Sequence, residues 1–168
     1  HQENKTFTFG SFKVFRKISD ETIEAWSKIL EKVPNCKLVL KSSSFCDTTL
    51  LLSKFKKNNL DKKIKILDKK NFIEKQDHLE LYNTIDLALD TFPYNGVTTT
   101  FESLWMNVPV IVLKGYNFNS RCGESILKNT KLNYLVASNI NEYIQRAIFL
   151  SENREKLITL RKELYNTV

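Results

Sequence analysis

The 168-residue sequence lacks the motifs by which several common enzyme classes are recognised. Its four glycines form neither the G-x-G-x-x-G pattern of dinucleotide-binding folds nor the G-x-x-x-x-G-K-[ST] phosphate loop. With only two histidines, His1 and His78, it has no H-E-x-x-H motif, and no cluster of carboxylates suggests a metal site. No Ser/His/Asp set has the spacing of a nucleophile elbow. We therefore expect no metal and no cofactor, and a domain that binds a ligand rather than a self-contained hydrolase.

Cysteines and long apolar runs are also few. The three cysteines Cys36, Cys46 and Cys122 are scattered and show no C-x-x-C spacing, which argues against a disulfide framework and a zinc site. This usage favours a reducing, cytoplasmic setting. No apolar run has the length of a membrane span and no signal peptide is visible, so we expect no membrane association. Because the chain begins at His1 without a methionine, we interpret it as a fragment of a longer protein.

Positive charge is in excess, with a formal net charge of +7. Much of the excess lies in Lys54–Lys70, where eight lysines stand against two aspartates. These lysines mostly flank apolar positions, which is typical of the solvated rims of a helix and a strand. Arginines are scarce there and aromatic residues are not interleaved as stacking platforms for bases. We therefore predict no nucleic-acid partner.

Short apolar runs alternate with helical patterns along the whole chain. This alternation predicts an α/β fold, a doubly wound Rossmann-like parallel sheet covered on both faces, in a single domain spanning residues 1–168. The predicted strands are Thr6–Phe12, Lys37–Leu40, Ile64–Leu67, Leu87–Leu89, Val108–Leu113 and Tyr134–Val136. The predicted helices are one that ends before Pro34, then Thr48–Asn58, Glu74–Ile85, one opened by the threonines 98–100, Ser120–Asn129, Glu142–Leu150 and Arg154–Leu164. The last helix is strongly polar on one side, which is compatible with packing elsewhere.

The stretch Asp86–Leu113 predicts a ligand site. It reads as strand, loop, helix and strand, and threonines open the helix where the loop ends. In doubly wound sheets such a point lies at the carboxyl end of a strand, where ligands bind, and a helix start offers free N–H groups to an anion. Thr99 and Glu102 also form a T-x-x-E capping box, in which Glu102 would reach back to the N-cap amide. A phosphate site and a simple cap both remain open for this pair.

Three further side chains are candidates because of their positions. Lys17 follows the first strand on the same edge of the sheet and could neutralise a pyrophosphate, although an ordinary surface lysine is the alternative. Lys75 and His78 are one turn apart and could sandwich a planar base, although His78 is also compatible with a surface role. Asp90 ends its strand, and we interpret it as a structural residue that accepts backbone N–H bonds from the loop.

Three segments carry a resemblance to a known family: DLALDTFPYNGVTTTFESLWMNVPVIVLKG, NSRCGESILKN and ASNINEYIQRAI. They resemble the C-terminal half of the O-linked N-acetylglucosamine transferases and SPINDLY-like enzymes of glycosyltransferase family 41. The F-x-x-x-x-K-I pattern at Phe12–Ile18 and the later VPNCKLVLK fit the start of the same domain. The resemblance implies a GT-B architecture, two Rossmann-like domains with the active site between them. This chain would be the nucleotide-binding C-terminal half.

The resemblance also implies roles for residues at matching positions. Lys17 falls on the catalytic lysine that contacts the donor diphosphate and supports departure of the leaving group. Lys75 and His78 fall on the pair that contacts uracil. Thr98 and Thr99 fall on the phosphate-binding threonines.

In the same way, Glu102 takes the place of the acidic residue that holds the ribose hydroxyls. The sequence departs from the animal enzymes at Val14, where they have a polar residue, and at Leu81, where they have a base-side arginine. It departs again at Val97, where they have a histidine. These departures leave the donor sugar open.

The implied reaction is inverting transfer from a UDP-sugar, UDP-N-acetylglucosamine, to a protein serine or threonine, without a metal. The implied ligand is UDP or UDP-N-acetylglucosamine. The protein acceptor would bind through an N-terminal catalytic domain and tetratricopeptide repeats that this sequence does not contain, so we expect the isolated domain to be inactive. The alternatives are a protein N-glucosyltransferase-like or other GT-B transferase, and a non-enzymatic sugar-nucleotide-binding module.

Overall fold

A parallel β-sheet forms the centre of the computed structural model, which describes residues 6–41, 48–56, 59–67 and 75–167. The described strands form one six-stranded sheet in the order β3-β2-β1-β4-β5-β6, and every pairing is parallel. The strands are β1 (Phe7–Ser11), β2 (Cys36–Lys41), β3 (Ile64–Leu67), β4 (Leu87–Leu89), β5 (Val110–Leu113) and β6 (Val136–Ala137). The prediction of a doubly wound parallel sheet is confirmed.

Helices connect the strands and cover both faces of the sheet. They are α1 (Asp20–Lys32), α2 (Thr48–Lys56), α3 (Lys75–Glu80), α4 (Thr98–Trp105), α5 (Cys122–Asn129), α6 (Ile140–Glu152) and α7 (Arg154–Thr167). Helix α1 packs against α2 and α6 on one face, and α4 packs against α5 on the other, as right-handed crossovers require. No helix among the described residues has both the length and the apolar character needed to cross a membrane.

Most predicted elements differ from the structure by no more than three residues at an end, and two differ in type over part of their length. The predicted helix Glu74–Ile85 is α-helical only to Glu80 and continues as a 3₁₀ turn, Leu81–Thr84, which ends when the Ile85 N–H bonds to Tyr82 O. The predicted strand Tyr134–Val136 is wrong in its first two residues. They belong to a 3₁₀ turn because the Leu135 N–H bonds back to Leu132 O instead of to β5. The predicted loop Ser42–Ser44 and Cys46 lie outside the described residues.

The amphipathic sequence of α1 explains how it packs on the sheet. Trp26, Ile29 and Leu30 recur at helical spacing and are fully buried. Ser19 caps the helix by accepting a hydrogen bond from the Thr22 N–H at 3.1 Å, as expected for a serine immediately before an apolar-periodic run. The helix therefore has a fixed start next to the loop that follows β1.

Helix α7 packs on this domain. Leu157, Leu160 and Leu164 are buried, and the helix contacts α6 and α4. Arg161 extends from the same helix and donates to the carbonyl oxygens of Ile85 and Asp86, at 2.8 and 3.0 Å. Helix α7 is therefore held against the domain by its buried leucines and by two hydrogen bonds to backbone carbonyls at the amino end of β4.

The sheet order places a crevice between β1 and β4. These strands are neighbours, with Phe9 opposite Leu87 and Gly10 opposite Ala88, yet the connections that leave them run to opposite sides of the sheet. Loops therefore diverge at their carboxyl ends, which is where doubly wound sheets hold ligands. The loop after β1, the loop after β4 and the start of α4 all meet at this point.

Candidate functional site

Helix α4 begins at Thr98 without a side-chain cap. Its N-cap residue is Val97, whose side chain can accept no hydrogen bond, so the N–H groups of the first turn are not satisfied by a cap. Of the two alternatives left open for Thr99 and Glu102, the capping box does not form, because the N-cap residue is Val97 and Glu102 bonds to His78 and Tyr82. The N-terminus of α4 keeps donors and a positive dipole end for an anion.

Glu102 instead joins a network with His78 and Tyr82. Its Oε2 lies 2.9 Å from His78 Nε2 and accepts a hydrogen bond from the Tyr82 hydroxyl at 3.1 Å. The other imidazole nitrogen, His78 Nδ1, lies 2.8 Å from Lys41 Nζ at the end of β2. Because an ammonium group can only donate, Nδ1 accepts a hydrogen bond from Lys41. Nε2 therefore carries the ring proton and donates a hydrogen bond to the Glu102 carboxylate. The four side chains thus orient one another.

The protonation of this network follows from its surroundings. Burial raises the pKa of the Glu102 carboxyl, but the hydrogen bond from His78, with smaller contributions from the Tyr82 hydroxyl and the Lys13 charge, more than offsets it. The pKa of Glu102 is therefore below its ordinary value. Burial, and then the charge and hydrogen bond of Glu102, raise the pKa of Tyr82 far above its ordinary value. At neutral pH Glu102 is a carboxylate that accepts hydrogen bonds, and Tyr82 is a neutral donor.

Aromatic rings form one wall beside this network. Phe12, from the loop after β1, contacts Tyr82 edge-on with ring centroids 4.9 Å apart, and it lies 6.4 Å from the His78 ring. The His78 side chain is about one-fifth exposed, so it can still contact a ligand. The backbone of Lys75 begins α3, but its side chain lies outside the described residues, and its predicted role stays a prediction.

Lys17 lies in the 3₁₀ turn Phe15–Lys17 that follows β1, over the ring of Tyr94. Its Nζ is 4.0 Å from the ring centroid, within the range of a cation–π contact. An open cavity of about 440 Å³ lies here, lined by Arg16, Lys17, Ser19, Pro93 and Tyr94. Burial, followed by repulsion from Lys13, lowers the pKa of Lys17. A half-exposed ammonium beside such a cavity is placed to meet an anionic ligand.

Lys13 is a site residue that the sequence reasoning missed. Only 6% exposed, it forms an ion pair with Asp90, in which Nζ and Oδ1 are 3.1 Å apart. The same ammonium donates to Thr99 Oγ1 and lies 3.4 Å from Thr100 Oγ1. A lysine two residues beyond a buried strand, on the strand edge that holds ligands, was the signal that could have found it.

Asp90 has the structural role that the sequence predicted. Its Oδ1 accepts hydrogen bonds from the N–H groups of Thr91 and Gly96, both at 2.9 Å. The hydroxyl of Tyr143, on α6, donates to the Asp90 carbonyl oxygen at 2.9 Å and accepts from the Trp26 indole at 3.0 Å. These contacts fix the loop that leads into α4.

The predicted site residues thus divide into two groups around the crevice. Contacts join His78, Thr99 and Glu102 directly or through Tyr82, whose hydroxyl also lies 3.2 Å from Thr99 O. Lys17 lies on the other side, with the Tyr94 ring. Thr98 is exposed at the start of α4, where no side chain caps the backbone N–H groups of the first turn. Within the described ranges no group of three or more His, Cys, Asp or Glu side chains is arranged to hold a metal ion.

The chain matches known glycosyltransferases over almost its entire length. Residues 2–168 match the family model described as Glycosyl transferase family 41. An Arabidopsis thaliana protein named "Probable UDP-N-acetylglucosamine--peptide N-acetylglucosaminyltransferase SPINDLY" is 37% identical over 165 residues, which are 96% of this chain and 18% of that protein. The Caenorhabditis elegans UDP-N-acetylglucosamine--peptide N-acetylglucosaminyltransferase is 27% identical over 157 residues, 94% of this chain and 14% of that protein. The chain therefore spans less than a fifth of the length of these relatives.

Solved structures give the same picture of the fold. A mutant of the Thermobaculum terrenum O-GlcNAc transferase superposes with a TM-score of 0.90 and 33% identity, over 96% of this chain and 31% of that one. The C-terminal domain of a glycosyl transferase group 1 family protein from Francisella tularensis superposes with a TM-score of 0.73 at 19% identity. That match covers 96% of this chain and 84% of the other, so the two chains share a fold over most of their lengths.

Proposed function

Because the chain belongs to glycosyltransferase family 41 and has the fold of the C-terminal half of a GT-B enzyme, we propose that its crevice binds the nucleoside diphosphate of a sugar donor. The donor that the relatives' names give is UDP-N-acetylglucosamine, and their acceptor is a peptide. We propose the same donor here, with serine or threonine of a protein as the acceptor. The whole protein would then be an inverting protein glycosyltransferase.

One observation carries the proposal: an uncapped helix start and an oriented carboxylate meet at the β1–β4 crevice. The first turn of α4, at Thr98 and Thr99, offers N–H groups and hydroxyls to phosphate oxygens. One turn later, Glu102 presents a carboxylate of lowered pKa, suited to accept hydrogen bonds from ribose hydroxyls. His78, held in orientation by Lys41 and Glu102, can stack on a base beside them.

The proposed chemistry is electrostatic. As the bond between sugar and diphosphate breaks, negative charge develops on the leaving nucleoside diphosphate. Lys17 and the positive end of α4 would stabilise that charge, since donors fixed in advance need no reorganisation during the reaction. The lowered pKa of Lys17 also makes it a better proton donor to the leaving phosphate than an ordinary lysine. We propose no metal in this step.

The rest of the machinery would lie outside this chain. Because the chain spans less than a fifth of its relatives, we propose that an N-terminal half supplies the acceptor site and any general base. The isolated chain would then bind donor but transfer nothing. We also propose a cytoplasmic setting, supported by the free thiols of Cys36 and Cys122.

Calorimetric titration of the chain with UDP tests the donor site. We expect measurable binding that weakens by about tenfold or more in Lys17→Ala, because a charge-assisted hydrogen bond to phosphate contributes about 1.5–3 kcal/mol. Lys28→Ala is the control, because Lys28 is exposed and, among the described residues, pairs only with Glu24. Absence of UDP binding, or equal affinity in the two variants, would overturn the assignment of Lys17.

A second candidate function is transfer from a different nucleotide sugar. Leu81 is buried and apolar. The animal enzymes that this sequence resembles have an arginine beside the base at this position, so one contact to the base would be missing here. Titration with UDP, GDP, CDP and ADP, and then with UDP-glucose against UDP-N-acetylglucosamine, separates the donors. Activity of a polypeptide carrying both halves with radiolabelled donor separates a transferase from a non-enzymatic binding module.

A further inference from the structure

We propose that Lys13 is a positioning residue of the diphosphate site, which sets the hydroxyl of Thr99 so that it donates to a phosphate oxygen. This inference rests on the proposed function and deepens it. Lys13 acts through Thr99 and does not itself touch the donor, because its ammonium is enclosed by the protein at 6% exposure.

The three protons of the Lys13 ammonium are matched by three oxygen acceptors. Asp90 Oδ1 lies at 3.1 Å, Thr100 Oγ1 at 3.4 Å, and Thr99 Oγ1 is in direct hydrogen-bond contact. The ion pair with Asp90 stabilises a lysine in a place where an unpaired buried charge would be costly. Lys13 is therefore anchored with its donors in fixed directions.

The direction of these hydrogen bonds determines what each threonine can do. An ammonium has no lone pair, so both threonine hydroxyls must accept from Lys13. Thr100 then donates its own proton to the Gly96 carbonyl oxygen at 3.1 Å. For the Thr99 hydroxyl proton no acceptor lies within hydrogen-bond distance among the described residues. Thr99 is left as a donor beside the uncapped start of α4, which is the polarity that a phosphate requires.

The backbone leaves room for this arrangement at Gly96. A Cβ atom at that position would collide with Lys13 Nζ and would lie 2.6 Å from Thr99 Oγ1. A glycine there is required for the ammonium and the hydroxyl to meet. This close approach, together with the buried ion pair, shows a built arrangement rather than a surface lysine resting on a helix.

The experiment titrates uridine, UMP and UDP into the unaltered chain and into Lys13→Met, Thr99→Val and the double variant. We expect Lys13→Met to weaken UDP by about tenfold and uridine by less than about twofold, because the contact set by Lys13 is to phosphate. If Lys13 acts through Thr99, the double variant will bind UDP no more weakly than Thr99→Val alone. Equal losses for UDP and uridine, or additive losses in the double variant, would overturn the inference.

Two further variants serve as controls. Lys13→Met leaves Asp90 unpaired and can unfold the chain, so the pair is also replaced together as Lys13→Met/Asp90→Asn, with folding checked by thermal melting. Lys28→Met controls for loss of an exposed lysine. Unaltered protein that binds no UDP would overturn both the proposed function and this inference. Unaltered protein that binds UDP with the same affinity as a folded Lys13 variant would overturn this inference alone.

Discussion

The Glu102 carboxylate could either cap its own helix or bond to another element, and only the second arrangement forms. A capping box would have used its carboxylate to satisfy an N–H group of its own helix. Contacts with His78 and Tyr82 use that carboxylate to join α4 to the segment before β4. The helix start is left to other donors, and the carboxylate is held at the mouth of the crevice. Stability therefore depends on its charge, and under the proposed function ligand binding would depend on it too.

The charge of Glu102 predicts a pH dependence of folding. Its pKa is lowered in the folded state, so it stabilises the fold at pH values above the ordinary glutamate pKa, and this contribution is lost as the pH falls through the lowered folded pKa. We expect Glu102→Gln to reduce the free energy of unfolding by about 1–3 kcal/mol at pH 7. The difference from the unaltered protein should persist to about pH 5 and shrink below about pH 4.

Urea unfolding at pH 7, 5 and 3.5 measures this difference. Glu24→Gln is the matched control, because Glu24 is exposed and its one ion pair within the described part of the chain is with Lys28 on α1. A difference for Glu102→Gln that stays the same at all three pH values would contradict the assignment of a lowered pKa.

At the scale of elements, the start of α1 holds the loop between β4 and α4. The hydroxyls of Ser19 and Thr22 donate to the carbonyl oxygen of Phe92, at 2.6 and 2.8 Å. The Phe92 N–H donates back to Thr22 Oγ1 at 3.2 Å. Loop and helix are distant in sequence, yet three hydrogen bonds join them, and both bonds made by Thr22 are buried. The first turn of α1 thus supports the loop that carries Tyr94 and leads to α4.

Thr22→Val tests this support with an isosteric change. Removal of the hydroxyl leaves the buried backbone groups of Phe92 without Thr22 as a partner, so we expect a loss of about 1–3 kcal/mol in the free energy of unfolding. UDP affinity should also fall, since the loop positions the partners of the diphosphate. Thr159→Val on α7 is the control, because Thr159 is exposed and its hydroxyl donates to Glu155 O in its own helix. Equal stability of the two variants in urea unfolding would contradict the role of Thr22.

The elements were easier to predict from the sequence than the contacts between them. β3 and β4 have the predicted bounds because short apolar runs between polar residues leave little choice of register. The choice between a capping box and a ligand site stayed open because the sequence pattern does not show that His78 competes for Glu102. Lys13 was missed because its partners, Asp90 and Thr99, come from a loop and a helix far along the chain. A local sequence pattern is enough to predict a strand. A site whose residues come from distant segments can be predicted only when the order of the strands in the sheet is known.

At the scale of the whole molecule, α7 completes the domain instead of leaving it. Its polar side suggested packing elsewhere, but three leucines on the opposite side are buried against α6 and α4. Arg161 adds hydrogen bonds to the backbone at the start of β4. The last helix therefore stabilises the strand that ends in Asp90, on the side of the sheet away from the crevice.

Leu164→Ala tests how much of the stability depends on this helix. Leu164 is fully buried, and removal of a buried leucine side chain costs about 2–5 kcal/mol through lost apolar contact and the cavity that remains. Ile158→Ala on the same helix is the control, because Ile158 is 52% exposed and should lose less than about 0.5 kcal/mol. Thermal melting should show a clear decrease for the first variant only. Equal melting temperatures would show that α7 is not docked in solution.

The pairing of β1 with β4 makes the crevice a late product of folding. Lys13 and Thr99, which meet across it, are 86 residues apart along the chain. A ribosome must therefore synthesise the chain through α4, and the chain must close a loop of 86 residues, before the proposed anion site can form. Long-range pairing of this kind is slow compared with helix formation. Nucleotide binding would then report on the completed topology, and a ligand present during synthesis would select chains in which both halves of the sheet have joined.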